Sequence, residues 1–139
     1  MKSFCSIVLK SFSVLTVALL LACSGVTREW KAATAAQKYY ELLSKGDAIR
    51  FMEGKAGVEN LPADYCEQLL KAIENYHKDI QEKHGGLNDV RISDNTSLLA
   101  DTTHVEQEVK AFLILCYGDS TQEEIVVPMV EVDGEWRMK

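Results

Sequence analysis

The feature that most restricts how this chain can fold is a change of hydrophobic period at Gly85-Gly86. Before the two glycines, Cys66, Leu69, Ile73, Tyr76 and Ile80 follow one another at spacings of three, four, three and four. That spacing makes one stripe along a helix of 3.6 residues per turn. Lys71, Glu74, Lys78, Asp79 and Glu82 fall largely off the stripe. After the glycines the pattern alternates, through Val105, Gln107, Val109, Ala111, Leu113 and Leu115. The stretch from Ala111 to Tyr117 is continuously apolar, as in a strand covered on both faces. Helices first and antiparallel strands second predict an α+β domain, with the helices packed on one face of a curved antiparallel sheet.

Local signals fill in the elements. Arg28 to Lys45 reads as a helix, with Ala32, Ala36, Tyr39 and Leu43 on one face, Thr27 as N-cap and Glu29 near the positive end of the helix dipole. Gly46 stops it. Asp47 can cap a short second helix with Ile49, Phe51 and Met52 as its apolar surface, and Gly54 to Asn60 reads as a loop. Pro62 suits the first turn of the third helix. Val90 to Ile92 is a short strand, Asp94-Asn95 a turn, and Thr102 to Tyr117 a long strand ended by Gly118-Asp119. Glu123 to Val132 is a further strand, in which Pro128 indicates an edge or a bulge. Asp133-Gly134 is a hairpin signal, and Glu135 to Lys139 returns.

The N-terminus has a different character. Lys2 and Lys10 precede an apolar run from Val14 to Leu21, which ends in Ala22-Cys23. A basic start, an apolar stretch and a small residue before the cut are the layout of an export signal. The run is well short of the roughly 20 residues that span a bilayer. Leu20, Ala22 and Cys23 resemble the lipobox of bacterial lipoproteins, with Leu21 bulkier than its usual occupant. The resemblance implies cleavage before Cys23, a diacylglyceryl thioether on its sulfur and acylation of the new amine. Residues 1–22 are then a signal peptide, 23–27 a lipidated tether, and 28–139 a single domain. The expected location is the bacterial cell envelope, anchored to a membrane by lipid.

Loss of residues 1–22 from the 139 removes two of the 15 Lys and Arg and none of the 21 Asp and Glu, which moves the net charge from -6 to -8. So acidic a body disfavours nucleic acid and gives no reason for the body to lie on an anionic membrane; the lipid is expected to hold it there. With Cys5 in the signal and Cys23 lipidated, Cys66 and Cys116 remain. Both are expected to point inward, where they can pack as small hydrophobes or form a disulfide. No Cys-x-x-Cys or His-x-x-x-His spacing occurs, so no metal or cofactor is indicated.

Two segments carry a wider resemblance. Tyr39-Tyr40-Glu41-Leu42-Leu43-Ser44-Lys45-Gly46-Asp47 ends a helix at a Gly-Asp pair and opens another. Val130-Glu131-Val132-Asp133-Gly134-Glu135-Trp136-Arg137 is a hairpin whose last strand carries a Trp. Together they resemble the nuclear transport factor 2-like superfamily, and within it small bacterial lipoproteins with an uncharacterised, lumazine-binding-like domain, over residues 28–139. The resemblance implies a cone-like (cystatin-like) fold with an open end that can be a pocket, and a buried Trp136. It does not imply a function, because enzymes, carriers and interaction modules share the cone.

No catalytic set stands out. Tyr39, Tyr40, Tyr65, Tyr76 and Tyr117 could line a pocket, with Tyr39 and Tyr76 as core residues whose hydroxyls reach the rim. His77, His84 and His104 are expected at the surface, tied to no carboxylate by a motif. Asp89, Asp94, Asp101 and Asp119 lie where turns and strand ends favour Asp. Glu106, Glu108 and Lys110 alternate along one strand face and read as solvated. The expected function is a tethered module that binds a small apolar ligand or another envelope protein. The alternative is an isomerase- or dehydratase-like enzyme acting in the cone.

Overall fold

The structure, a computed structural model, describes residues 27–98 and 108–139. Cys23 and the signal, and Asp101, His104 and Glu106, lie outside these residues. Helices α1 (Arg28–Ser44), α2 (Ala48–Glu53) and α3 (Ala63–His84) come first, with a 3-10 turn at Val58–Asn60 between the last two. Strand β1 (Leu87–Ile92), a short helix α4 (Asn95–Leu98) and strands β2 (Glu108–Tyr117), β3 (Gln122–Val132) and β4 (Glu135–Met138) follow. The four strands form one antiparallel, strongly curled sheet in the order β1-β2-β3-β4. The expected α+β architecture is present.

The ends of these elements follow from their sequences. The Thr27 hydroxyl accepts the Trp30 N–H, and the Asp47 carboxylate accepts the Arg50 N–H, each satisfying an orphan donor of a helix start. Pro62 stands one residue before the helix, at the N-cap, and Gly85 ends α3 in a left-handed conformation. Asp133 and Gly134 both have positive φ, as the tight turn between β3 and β4 requires. Pro128 pairs with Lys110 of β2, and its carbonyl accepts the Lys139 N–H (2.9 Å). The side on which it lacks an N–H is therefore the one where β4 runs out. Asp94-Asn95, expected as a turn, opens α4; the Ser93 hydroxyl accepts the Asn95 N–H, and the Thr96 hydroxyl donates to the Phe112 carbonyl.

The core lies between α1 and the inner face of the sheet. Ala32, Ala33, Ala36 and Leu43 of α1 are fully enclosed, facing Val90, Ala111, Leu113, Leu115, Val127, Met129 and Met138. The alanines let the helix backbone come close to the strands. The outer edge of β4 is paired too: Met138 N–H donates to the Gly54 carbonyl and Ala56 N–H to the Met138 carbonyl. Tyr39 secures this corner. Its ring lies on Gly54, where a Cβ would come within 2.5 Å of it, and its hydroxyl donates to the Trp136 carbonyl (2.8 Å).

The depth of Trp136 and the direction of Cys116 differ from expectation. Trp136 is half-buried; the enclosed residue of the last strand is Met138, at 2% exposure. Both project to one face, but Met138 pairs with Met129 in the middle of the core, whereas Trp136 pairs with Glu131 near the hairpin tip. There Arg28, from the first turn of α1, covers its ring at 5.1 Å. Cys66 and Cys116 are both free thiols. The Cys66 sulfur faces the Val58 and Leu61 carbonyls at the start of α3. Cys116 sits between Leu115 and Tyr117, which point into the core, so alternation turns it to the other face of the sheet.

Candidate functional site

The polar groups of the inner face collect at one end, where the close of α3 meets the turn between β2 and β3. Gly118 N–H donates to the Gly86 carbonyl (2.9 Å) and Asp119 N–H to the His84 carbonyl (2.8 Å). The approach is so close that a Cβ on Gly118 would stand 2.4 Å from the Gly85 oxygen. His84 lies flat on Tyr117, with ring centroids 4.4 Å apart and planes 18° from parallel. Its Nδ1 stands 3.0 Å from the Asp119 carboxylate. Asp119 also accepts the backbone N–H and the hydroxyl of Thr121. These bonds, led by those from Thr121, hold its carboxyl down at a pKa of about 2.

Beside this latch Tyr117 bonds one carboxylate, Glu123, and Tyr40 and Tyr76 lie within its field. Tyr117 is buried, and its hydroxyl donates to Glu123 (2.7 Å). Tyr40, from α1, packs edge-on against Phe51 with centroids 5.3 Å apart. Burial pushes its pKa up to about 12, helped by Tyr76 and Glu123. Burial and then Glu123 also raise Tyr76, although this α3 side chain is 41% exposed. Burial, the bond to Glu123, and then Glu123, Tyr76 and Tyr40 raise Tyr117 further. The three phenols and the carboxylate therefore lie within one another's field, and the phenols remain protonated well above neutral pH. Tyr40 and Tyr76 make no hydrogen bond to another described residue. Glu123 is open to solvent.

The other sequence candidates are dispersed. Tyr39 is engaged with Trp136, and Tyr65 is exposed and apart. Asp89 bonds the Val90 N–H and Arg91. Glu108 meets Lys139, and Lys110 is exposed. Two histidines depart from the expected plain surface role. His84 has a carboxylate partner, from a residue 35 positions away. His77 lies against Gly46, with its Nε2 buried and without a partner among the described residues. No group of three or more metal-ligating side chains occurs among the described residues. Glu123 was missed as a site residue. The signal was present in the Gly118-Asp119 turn, which folds the strand back so that Glu123 comes diagonally opposite Tyr117.

No protein-family model and no curated protein matches the chain. Among solved structures it is similar to a Campylobacter jejuni protein described as an NTF2-like transpeptidase, with 16% identity and a TM-score of 0.49, over 74% of this chain and 92% of that one.

Proposed function

We propose that the chain is a lipid-tethered protein of the bacterial envelope whose domain binds a small ligand or an envelope partner at the Tyr40–Tyr76–Tyr117–Glu123 rim. One observation carries the binding reading. Where the core packed under α1 ends, Tyr40, Tyr76, Tyr117 and Glu123 gather at one rim; Tyr76 and Glu123 are exposed, and the Tyr40 and Tyr76 hydroxyls make no hydrogen bond to another described residue. Aromatic rings that carry a few orienting polar groups are a common lining of a binding site. Protonated phenols donate and accept hydrogen bonds, and Glu123 accepts them or faces a cation. The tether rests on Leu20, Ala22 and Cys23.

A second reading, an enzyme of isomerase or dehydratase type, rests on the Asp119-oriented imidazole of His84. The pair lies at the surface, with 39% and 37% of the two side chains exposed. The test is to isolate the protein from native membranes and compare what stays bound. Tyr76→Phe combined with Glu123→Gln loses the bound species under the binding reading and leaves the fold intact. His84→Gln alters retention little under that reading, and abolishes turnover of the bound species under the other. Absence of acyl chains on Cys23, read by mass spectrometry of the same material, would remove the tether.

A further inference from the structure

The outer ridge of α1 concentrates positive charge on an otherwise acidic domain. Lys31, Lys38 and Lys45 recur at spacings of seven, which returns a helix to nearly the same direction. All three are exposed, and none forms an ion pair with a described residue. They lie opposite the enclosed Ala32, Ala36 and Leu43. Glu41 is the acidic residue on this ridge, and Thr34 is its neutral one. At the start of the same helix, Trp30 stands 44% exposed on the flank of the ridge. An indole offers an apolar body and a polar N–H, which suits the boundary between headgroups and acyl chains.

Position decides what such a ridge meets. Between Cys23 and Arg28 there are four residues, Ser24 to Thr27. Extended, they reach on the order of 15 Å. A lipid on Cys23 therefore keeps the first turn of α1 at the bilayer surface. The acidic total expected to keep the body off an anionic membrane is not evenly spread: the ridge of α1 is basic, while beside its first turn Arg28 pairs with Glu131 of the β3–β4 hairpin.

We infer that α1 docks lengthwise on an anionic bilayer, with Lys31, Lys38 and Lys45 on the headgroups and Trp30 in the interface, leaving the tyrosine rim turned away. The inference rests on the tether reading for its proximity. A lysine near an anionic leaflet contributes about 1 kcal/mol, so three lysines shift the docked-to-undocked ratio by roughly 100-fold.

The test uses the protein purified from membranes and reconstituted in vesicles of phosphatidylcholine, with or without phosphatidylglycerol. The chain has two tryptophans, so a Trp30→Phe variant supplies the Trp136 signal to subtract. Trp30 emission is expected to shift to the blue and to be quenched by brominated lipid in the anionic vesicles. High salt and a triple Lys31→Gln, Lys38→Gln, Lys45→Gln variant should return it to its level in neutral vesicles. These lysines are exposed, and circular dichroism should show the variant folded. Quenching that is equal in both vesicle types, or unchanged in the triple variant, overturns the docking. Failure of the tether reads out separately: the mass of the purified chain then lacks acyl groups, and Trp30 quenching still decides whether the ridge binds the anionic surface.

Discussion

Helices α1 and α3 both carry an apolar stripe, yet they are buried to very different depths. α1, with 17 residues, encloses Ala32, Ala33, Ala36 and Leu43 completely. α3, with 22 residues and the cleaner period, encloses Ile73 and Ile80 and leaves Leu69 and Leu70 half-covered. Tyr76, in the middle of its stripe, is 41% exposed. Periodicity gives the direction in which a helix faces, whereas depth depends on how closely the backbones can approach. Alanines bring α1 down onto the strands. α3 lies instead on the short helix α2 and on β1, and the exposed part of its stripe brings Tyr76 toward Tyr40 and Glu123. The better-packed helix stabilises the fold, and the less enclosed one contributes to the site.

The sharpest way to break this comparison is to truncate one leucine on each helix. Leu43→Ala empties an enclosed position and should cost about 2–5 kcal/mol in urea unfolding. Leu69→Ala, half-covered in α3, should cost about 1 kcal/mol, because less apolar area leaves water there. Equal losses would mean that the helices are buried alike. Enlargement reverses the probe. Ala36→Leu should cost about 1–3 kcal/mol by overpacking the α1–sheet contact. Ala72→Leu, at an exposed position of α3, should stay within about 0.5 kcal/mol of the parent.

The elements were legible because their signals are local. Asp47 at a helix start, Gly85 at a helix end and Asp133-Gly134 at a hairpin each act on their own backbone, and each appears where expected. The grouping of the site was not: Tyr40, Tyr76 and Tyr117 stood among the pocket candidates beside Tyr39 and Tyr65, but the set comes from α1, α3, β2 and β3 and joins Glu123 only once the sheet has curled. His84 and Asp119, 35 residues apart, are joined by close contact between two glycine-bearing turns, for which sequence offers no spacing rule. Trp136 shows a related failure: alternation gave its face, and position along the strand gave its depth.

Titration examines the rim without disturbing the core. Tyr40 has its pKa raised from 10.0 to about 12, so its contribution to stability is complete below pH 10 and is lost as pH rises through about 12. Absorbance of tyrosinate should show a late phase near 12 that Tyr40→Phe removes. The acid side runs the other way. Asp119 is lowered from 3.8 to about 2, so its contribution is present above 3.8 and is lost as pH falls through about 2. Asp119→Asn should flatten the part of the acid unfolding curve between those values. This effect should be the smallest of the set, because the carboxylate is exposed and water screens it.

The claim that most needs testing is that the rim of Tyr40, Tyr76, Tyr117 and Glu123 is where this domain binds. Native mass spectrometry of the protein released from its own membranes tests it directly. The parent should carry a bound species, and Tyr65→Phe, which alters an exposed tyrosine away from the rim, should carry it equally. The Tyr76→Phe, Glu123→Gln variant should be folded and empty. If that variant retains the species as fully as the parent, binding takes place elsewhere and the rim is not the site.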